Sequence, residues 1–580
     1  MAKTMNEKIE EMLLKVTKPG RYIGNEVHMP KKNPAKVKIR FAFCFPDIYE
    51  VGMSHLGLQI LYFFLNRRED VYCERAFMPW IDMITLMKEK NVPLWALETG
   101  DPIRDFSFVG FTLQHEMCFT NVLAMLNLAG IPLRRVDRGE DMPVVCAGGP
   151  CAYNPEPMSD FIDFFYIGDG EAALDDVLDI YRSHQGDKEE YLAKIARLPG
   201  IYVPSFYEAD YQADLLTKFT PIHGSAPDIV KTALLPSLDE AFFPDKFLVP
   251  LIEVTHHRAV IELFRGCKRG CRFCQARATS RPIRLRSLDT LLAQAEALLD
   301  STGHEEISLL SLSASDYPHF EPLLEGLLKL TENRNVSISL PSLRLDKISL
   351  AALDKTQKVR KSSLTFAPEA GTQRLRDVIN KDMTDLDISD GLREAFKAGF
   401  DRIKLYFMTG LPTETDEDVE AISHLAHEVV EEYYRADKSE DQSQKKRRRP
   451  VSVSVSCSCF VPKPHTPLQW ESQDTAEVFI EKQRRIKAKI KKKQISYRYH
   501  DAQTAVVEGV LARGDRRVGA AIESAYRLGA LFDGWTELFR FDLWEQAFLE
   551  TGISPDFYAH RKRSKDELLP WSFIDANGTS

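Results

Sequence analysis

The sequence predicts an α/β protein in three parts. These are an N-terminal Rossmann-like, doubly wound parallel sheet, a central partial (β/α)6 TIM-like barrel, and a small C-terminal mixed, α-rich segment. Three observations carry this. Between about residues 37 and 170, apolar strand-like runs alternate with amphipathic helical stretches. A second series of the same kind, six steps long, begins at "RAVIELF" (258–264). From Tyr497 the pattern turns aromatic and helical, and 580 residues exceed what one ordinary core fills. The expected boundaries are 1–36 for an N-terminal helix and arm, 37–200 for the first sheet, and 201–250 for a connector. The barrel is expected at 251–475 and the C-terminal part at 476–580.

Composition narrows the classes. Hydrophobic residues make up 44% and charged residues 28%, an ordinary globular balance. The net charge of −9 argues against bulk electrostatic binding to nucleic acid. No run approaches the roughly eighteen uninterrupted apolar residues of a membrane span. The opening "MAKTMNEKIEEMLLKV" puts Ile9, Met12, Leu13 and Val16 on one helical face and lacks the layout of a secretion signal. Of ten cysteines, seven lie outside the cluster described below and read as reduced core thiols. A cytoplasmic location is expected.

In the first series, "VKIRFAFCF" (37–45) reads as a buried strand and "LGLQILYFFLN" (56–66) as the helix after it. "FSFVGFT" (106–112) and "MCFTNVLAMLNLAG" (117–130) repeat the pattern, and "PVVCAGG" and "DFFYIG" supply later strands. Glycines at Gly110, Gly148–Gly149 and Gly168-x-Gly170 are expected to close strands, where an open α/β sheet binds ligands. Residues 171–183 read as a helix, followed by mixed, Pro-containing connections. In the second series the strands after "RAVIELF" are "EISLLSL", "VSISL", "SSLTF", "RIKLYFM" and "VSVSVSCSCF". Helices such as "LDTLLAQAEALLDS", "FEPLLEGLLKL" and "DEDVEAISHLAHEVVEEYY" lie between them. Catalytic loops belong at the C-terminal ends of such strands. The stretch 436–450, "ADKSEDQSQKKRRRP", reads as a solvated insertion, with a nuclear or nucleic-acid signal as the other reading. The basic run 484–494, "RRIKAKIKKKQ", is either an exposed helix face or a contact for a polyanion such as RNA.

Directly after the first strand of the second series, "FRGCKRGCRFCQ" (264–275) carries Cys267, Cys271 and Cys274. A structural zinc site wants four protein ligands and a disulfide two. Three thiolates can hold three irons of a [4Fe–4S] cubane and leave the fourth open to a small molecule. Arg265, Lys268, Arg269 and Arg272 are expected to lower the thiol pKa values and offset the cluster's charge. The alternative is a zinc knuckle completed by His256 or His257.

C-x3-C-x2-C after the first strand of a six-step βα barrel resembles the signature of radical S-adenosylmethionine (SAM) enzymes. The resemblance implies that the open iron binds the amino and carboxylate groups of SAM. It also implies that an electron from the reduced cluster cleaves SAM to methionine and a 5′-deoxyadenosyl radical. A flavodoxin- or ferredoxin-like electron donor is implied with it. "SLSASDY" (311–317) stands where that superfamily often has a Gly-Gly-Glu-like motif for the SAM amino group, with Ser313, Ser315 and Asp316 replacing it. "TFAPEAGTQRLRDVINK" (365–381) resembles an E-S-G segment, implying Glu369 as a SAM contact. "IKLYFMTGLPTET" (403–415) resembles the segment that packs against adenine. In "FVPKPHTPLQW" (460–470), Lys463 faces either the active site or a rigid loop, and His465 is an active-site neighbour or a structural turn residue.

Residues 37–180 resemble the cobalamin (vitamin B12)-binding domain that precedes many radical SAM barrels, through "PDIYEVGMSHLG", "VGFTLQHE", "CAGGPCAYNPEP" and "FFYIGDGE". This implies cofactor contacts at Asp47, Tyr49, Gly52, Gly148, Gly149 and Gly168. Tyr49 stands where the family's D-x-H-x-x-G loop has its cobalt-ligating histidine, and His55 is off-register. Two readings stand: cobalamin held without a protein ligand to cobalt, or a retained fold that binds something else or nothing. With "KPGRYIGNE" (18–26) and the tail "HDAQTAVVEGVLARGDRR…LFDGW…LPWSFID", nearly the whole chain resembles one family of B12-binding-domain radical SAM proteins. Members tend to be bacterial and are accompanied by, or fused to, a small radical SAM-linked protein, an expected partner. The functions implied are SAM-dependent radical chemistry, as cobalamin-assisted methyl transfer or as modification of RNA or protein. The alternative is an iron–sulfur electron-transfer or cluster-carrying protein that does not turn over SAM.

Overall fold

A strand buried on both faces needs layers above and below it, and the first series builds them. In the computed structural model, which describes residues 4–339, 363–438 and 450–576, β1 (Ile39–Phe45) and β2 (Val71–Phe77) are buried almost throughout. β3 (Phe108–Thr112), β4 (Val144–Gly148) and β5 (Phe164–Tyr166) run parallel to them, and β6 (Ile201–Tyr202) closes the edge antiparallel. The order is β2-β1-β3-β4-β5-β6, so the direction of winding reverses between β1 and β3. Ligands of open α/β sheets gather at that reversal. Gly110 does not close a strand as expected. It lies inside β3 opposite Cys146, where a Cβ would stand 2.6 Å from Phe41 Cζ. It is a packing glycine.

The poorly legible connector holds a hairpin, β7 (Tyr207–Gln212) with β8 (Leu215–Pro221), and a short β9 (Val230–Lys231). β9 pairs with the chain's last strand, Ile574–Asp575. In the second series β10 (Ala259–Glu262) leads to a short antiparallel pair, β11 (Phe264–Arg265) with β12 (Arg284–Leu285). β13 (Glu306–Leu310) and β14 (Ser337–Ser339) complete a three-stranded parallel sheet with β10. β15 (Leu364–Glu369), β16 (Arg402–Thr409), β17 (Ser452–Cys459) and β18 (Ile495–Tyr499) form a four-stranded parallel one.

All six expected barrel strands are present, and β18 is an addition. It extends the barrel sheet past residue 475, pairing Ile495 with Val453. The following helices do not form a core of their own. Val507, Val510, Ile522 and Trp544 enter the core of the first sheet, as does Met12 of the N-terminal arm.

Three of the seven basic residues in the run 484–494 are engaged inside the molecule. The helix Ala476–Lys489 lies along the helix Asp416–Lys438. Arg485, Lys489 and Lys492 pair with Asp416, Glu420 and Glu431 at 2.5, 3.0 and 2.9 Å. Those pairs favour the helix-face reading over a polyanion contact. The insertion at 436–450 lies, apart from its ends, outside the described residues. No helix among the described residues is long and apolar enough to cross a membrane.

Candidate functional site

The cysteine loop leaves the barrel at β11 and returns at β12, so residues 266–283 form an excursion over the C-terminal ends of the strands. Gly266 opens it at φ +96°, where a Cβ would meet Ile283 Cα and Ser280 O at 2.9 Å. Neither the conformation nor the space admits another residue there. The loop is then stitched down from two sides. Arg269 bonds Asp316 through Nε and Nη2 at 2.8 and 2.5 Å, and Asp382 through Nη1 at 2.6 Å. Asn380 donates to Gly270 O at 2.9 Å, and Arg272 bonds the carbonyls of Ile379 and Val378.

Cys267, Cys271 and Cys274 thereby share one cavity of about 460 Å³ with Ser313, Thr365, Glu369, Lys381 and Tyr406. Burial pushes the thiols of Cys271 and Cys274 up in pKa, and the ammonium of Lys381 works against it. Thiols held high in this way become thiolates when a metal takes the proton's place.

The cations expected around the cysteines are mostly spent elsewhere. Arg265 faces the first sheet, Arg269 is held by Asp316 and Asp382, and Arg272 is held by backbone. Lys381, which sequence reading missed, lines the cysteine cavity together with Arg269. It pairs with Glu369 at 3.1 Å. Burial raises the Glu369 carboxyl against the pull of that lysine.

The donor set fits an iron–sulfur cluster better than zinc. One tetrahedral zinc at about 2.3 Å per thiolate would draw the sulfurs to about 3.8 Å from one another. Among the described residues, the trio of potential ligands whose donor atoms all lie within 4.8 Å is His115, Glu116 and Glu508, not the cysteines. The histidines proposed to complete a zinc knuckle are displaced too. His257 packs on His304 before β10 begins, with ring centroids 4.7 Å apart. His256 lines a different cavity.

Ser313 lines the cysteine cavity and sits beside Asp316. Asp316 itself is turned toward Arg269 and Lys268, which hold its carboxyl down at about 2 despite burial. It is a brace of the cysteine loop.

A cleft between sheet and barrel continues from this cavity past Leu312. One part, of about 380 Å³, is lined by Gly149, Tyr153, Gly168, Ser311 and Leu312. The other, of about 540 Å³, is lined by His55, Gly170, His256, Val260 and Ser308. Both volumes lie in the range of ligand pockets. Ser311 Oγ is buried on this wall with no hydrogen-bond partner among the described residues. Between the two parts runs an ionic clasp. Arg265 reaches Asp169, Glu171 and Glu262 at 2.9, 2.8 and 2.9 Å, and Arg284 also holds Asp169. Gly168 supports it at φ +126°, so close to the chain after β9 that a Cβ would lie 2.0 Å from Ala233 O.

The remaining first-sheet candidates divide. Gly149 and Gly168 line the cleft. Gly148 ends β4, and Gly52 packs on Phe77; neither lines the cleft or the cysteine cavity. Asp47 is covered by Trp535, whose Nε1 donates to it at 3.1 Å, and burial raises its carboxyl.

Tyr49 is not presented to a ligand. It is 2% exposed and donates to Glu26 at 2.8 Å, within a buried network of Arg75, Glu26 and Glu98. Burial and the neighbouring Glu26 push its phenol far up, so it stays a neutral donor. The Tyr49 position is therefore a core position and not a cobalt-ligand position. His55 does line the cleft, but both ring nitrogens are taken: Nδ1 accepts from Leu58 N–H, and Nε2 faces Gln114 Oε1 at 3.1 Å.

The last motif holds the parts together. Lys463 lies between Glu116 and Glu508, 2.8 Å from each, so its ammonium occupies the middle of the His115–Glu116–Glu508 trio. His465 bonds Tyr153 O at 2.8 Å through Nε2, and burial lowers its pKa to about 4. A neutral ring donating to that carbonyl ties the barrel's closing loop to the sheet.

Comparison with known proteins places the two halves separately. Residues 57–204 match the family described as "Radical SAM proteins, N-terminal", and residues 261–426 match the "Radical SAM superfamily". The chain is similar to an uncharacterized protein of Methanocaldococcus jannaschii, 29% identical over 83% of this chain and 90% of that one. It is also similar to the threonylcarbamoyladenosine tRNA methylthiotransferase MtaB of Treponema pallidum, 27% identical over 34% of this chain and 43% of that one. Among solved structures, it resembles the radical SAM methyltransferase TsrM from Kitasatospora setae, with cobalamin and a [4Fe-4S] cluster bound. The TM-score there is 0.49, with 14% identity over 76% of this chain and 78% of that one. The cobalamin-dependent radical SAM enzyme OxsB gives a TM-score of 0.48, with 12% identity over 89% and 72%.

Proposed function

For this chain, a radical SAM protein by its family matches over 57–204 and 261–426, we propose an enzyme that cleaves SAM reductively and starts radical chemistry on a substrate that reaches the cysteine cavity. The single observation that carries the reading is the convergence of Cys267, Cys271, Cys274, Glu369 and Lys381 on one cavity. In this reading the three cysteines hold a [4Fe–4S] cluster. When bound, that cluster supplies the single electron that opens the sulfonium of SAM and frees a 5′-deoxyadenosyl radical. The chain's own residues do the rest.

Glu369 and Lys381 present one carboxylate and one ammonium to the amino and carboxylate ends of SAM, with Ser313 beside them. The Asp316–Arg269 pair fixes the cysteine loop. Reducing equivalents come from a flavodoxin- or ferredoxin-like donor. An electron carrier would need the cysteines but no carboxylate–ammonium pair facing them. Formation of 5′-deoxyadenosine from SAM by reconstituted, dithionite-reduced protein therefore separates enzyme from carrier.

The resemblance of the first sheet to cobalamin-binding domains extends the proposal. Cobalamin would sit in the cleft against Gly149 and Gly168, and neither Tyr49, which is in the core, nor His55, whose two ring nitrogens are bonded, would be placed to ligate cobalt. The group such a cofactor would carry is a methyl. Seating it requires the Arg265 clasp to move, since the clasp divides the cleft into parts of about 380 and 540 Å³.

A further inference from the structure

The inner wall of β15–β18 has a composition of its own. Strand residues alternate between two faces. Phe366, Ile403, Leu405, Phe407, Val453 and Val455 belong to the core shared with the outer helices. The alternate set therefore faces the barrel interior. On β16 it is Lys404, Tyr406 and Met408, and on β17 it is Ser454, Ser456 and Ser458. Register aligns Lys404, Ser454 and Ser496 in one row and Tyr406, Ser456 and Arg498 in the next. Interior layers of closed barrels are filled by bulky branched side chains. Here they are hydroxyls flanked by two cations.

Tyr406 lies on the wall of the cysteine cavity, so these rows lead directly away from it. Lys404 and Arg498 are both exposed and make no ion pair among the described residues. They stand two strands and two residues apart, roughly 12 Å between Cα atoms from strand spacing and rise. Side chains of that length can close on one anion placed over Ser454 and Ser456. Among the described residues, the acidic groups named on these walls are already matched: Glu369 by Lys381, Glu262 by Arg265 and Arg286, and Glu306 by Arg258.

Resting on the reading of the cysteine cavity as the SAM site, we infer that the substrate is a phosphate ester. Its phosphate sits between Lys404 and Arg498, over the Ser454 and Ser456 hydroxyls, and its reacting carbon lies toward Tyr406. Phosphate is favoured over carboxylate by donor count. An arginine fork, an ammonium and two hydroxyls suit three oxyanion oxygens better than two.

The test titrates ribose 5-phosphate, and ribose as its phosphate-free control, into cluster-loaded protein by anaerobic calorimetry. SAM affinity and cluster absorbance are measured on the same samples. Ribose 5-phosphate should bind saturably and ribose should not. Lys404→Met and Arg498→Gln should each weaken the phosphate ester by about tenfold, as for loss of one charge-assisted contact. SAM affinity and absorbance should not change. Absence of ribose 5-phosphate binding, or binding unchanged in the double variant, overturns the inference. So does a single-stranded oligonucleotide that binds through the same two cations far more tightly than the monoester. Loss of SAM binding in the unaltered protein would instead overturn the proposed function.

Discussion

Lys381 Nζ stands 3.1 Å from Glu369 Oε1 on the wall of the cavity that three cysteines share. Glu369 holds its place by a left-handed backbone at φ +68°, where β15 shifts register against β16. A non-glycine residue in that conformation costs on the order of 1 kcal/mol and persists where surroundings over-determine it. The carboxylate is thus delivered to the cavity by a local irregularity of the strand.

From this pair follows the first prediction. Glu369→Ala should weaken SAM binding by about tenfold or more, the scale of one charged hydrogen bond, and leave iron content unchanged. Equilibrium dialysis of SAM beside iron and sulfide assays reads both. An unchanged SAM affinity removes Glu369 from the site.

The second concerns the cluster. Cys267→Ala, Cys271→Ala and Cys274→Ala should each abolish the broad thiolate-to-iron absorbance near about 410 nm. Cys44, Cys73, Cys118, Cys146, Cys151, Cys457 and Cys459 should each be dispensable for it, because none of them lines the cavity that Cys267, Cys271 and Cys274 share. A required fourth cysteine among those seven would end the open-site argument.

The third tests the first sheet. Tyr49→His should place its imidazole in the core beside Glu26, not on cobalt. Co(II) electron paramagnetic resonance of cobalamin-loaded protein should then show no imidazole nitrogen coupling in either form. Tyr49→Phe should lower stability by about 1 kcal/mol, the cost of one buried hydrogen bond, read by denaturant unfolding. Nitrogen coupling in Tyr49→His would mean that this loop does face the cofactor.

The fourth follows from His465, whose pKa is lowered from 6.5 to about 4 by burial. The unfolded state binds the proton first, so stability is whole above about pH 6.5 and falls as pH drops toward 4. The loss is at most about 3 kcal/mol. His465→Gln should flatten the acid side of a melting-temperature profile relative to the unaltered chain, and parallel profiles would contradict it.

Much of this architecture was legible because its signals are local. Strands such as "VKIRFAFCF" and "RIKLYFM" announce themselves by burial pattern, and three cysteines in eight positions announce a ligand set. Pairing was not legible. β18 was missed because only Ile495 of its five residues is buried, so no apolar run marks it. The return of the last helices to the first core depends on contacts such as Thr120 with Asp533, which no periodicity reveals. Lys381 was not picked out for the same reason: it closes the segment 365–381, far in sequence from the cysteines, and nothing in that segment marks it as their neighbour. Tyr49 was misread because a family position was legible while its neighbour Glu26, supplied by the N-terminal arm, was not.

The most direct test of the central claim is anaerobic. Reconstituted protein, dithionite and SAM are incubated, and 5′-deoxyadenosine is quantified by mass spectrometry beside Cys271→Ala. The account predicts 5′-deoxyadenosine from the unaltered protein and none above background from the variant. A protein that assembles its cluster and binds SAM yet forms no 5′-deoxyadenosine above the Cys271→Ala background would contradict it.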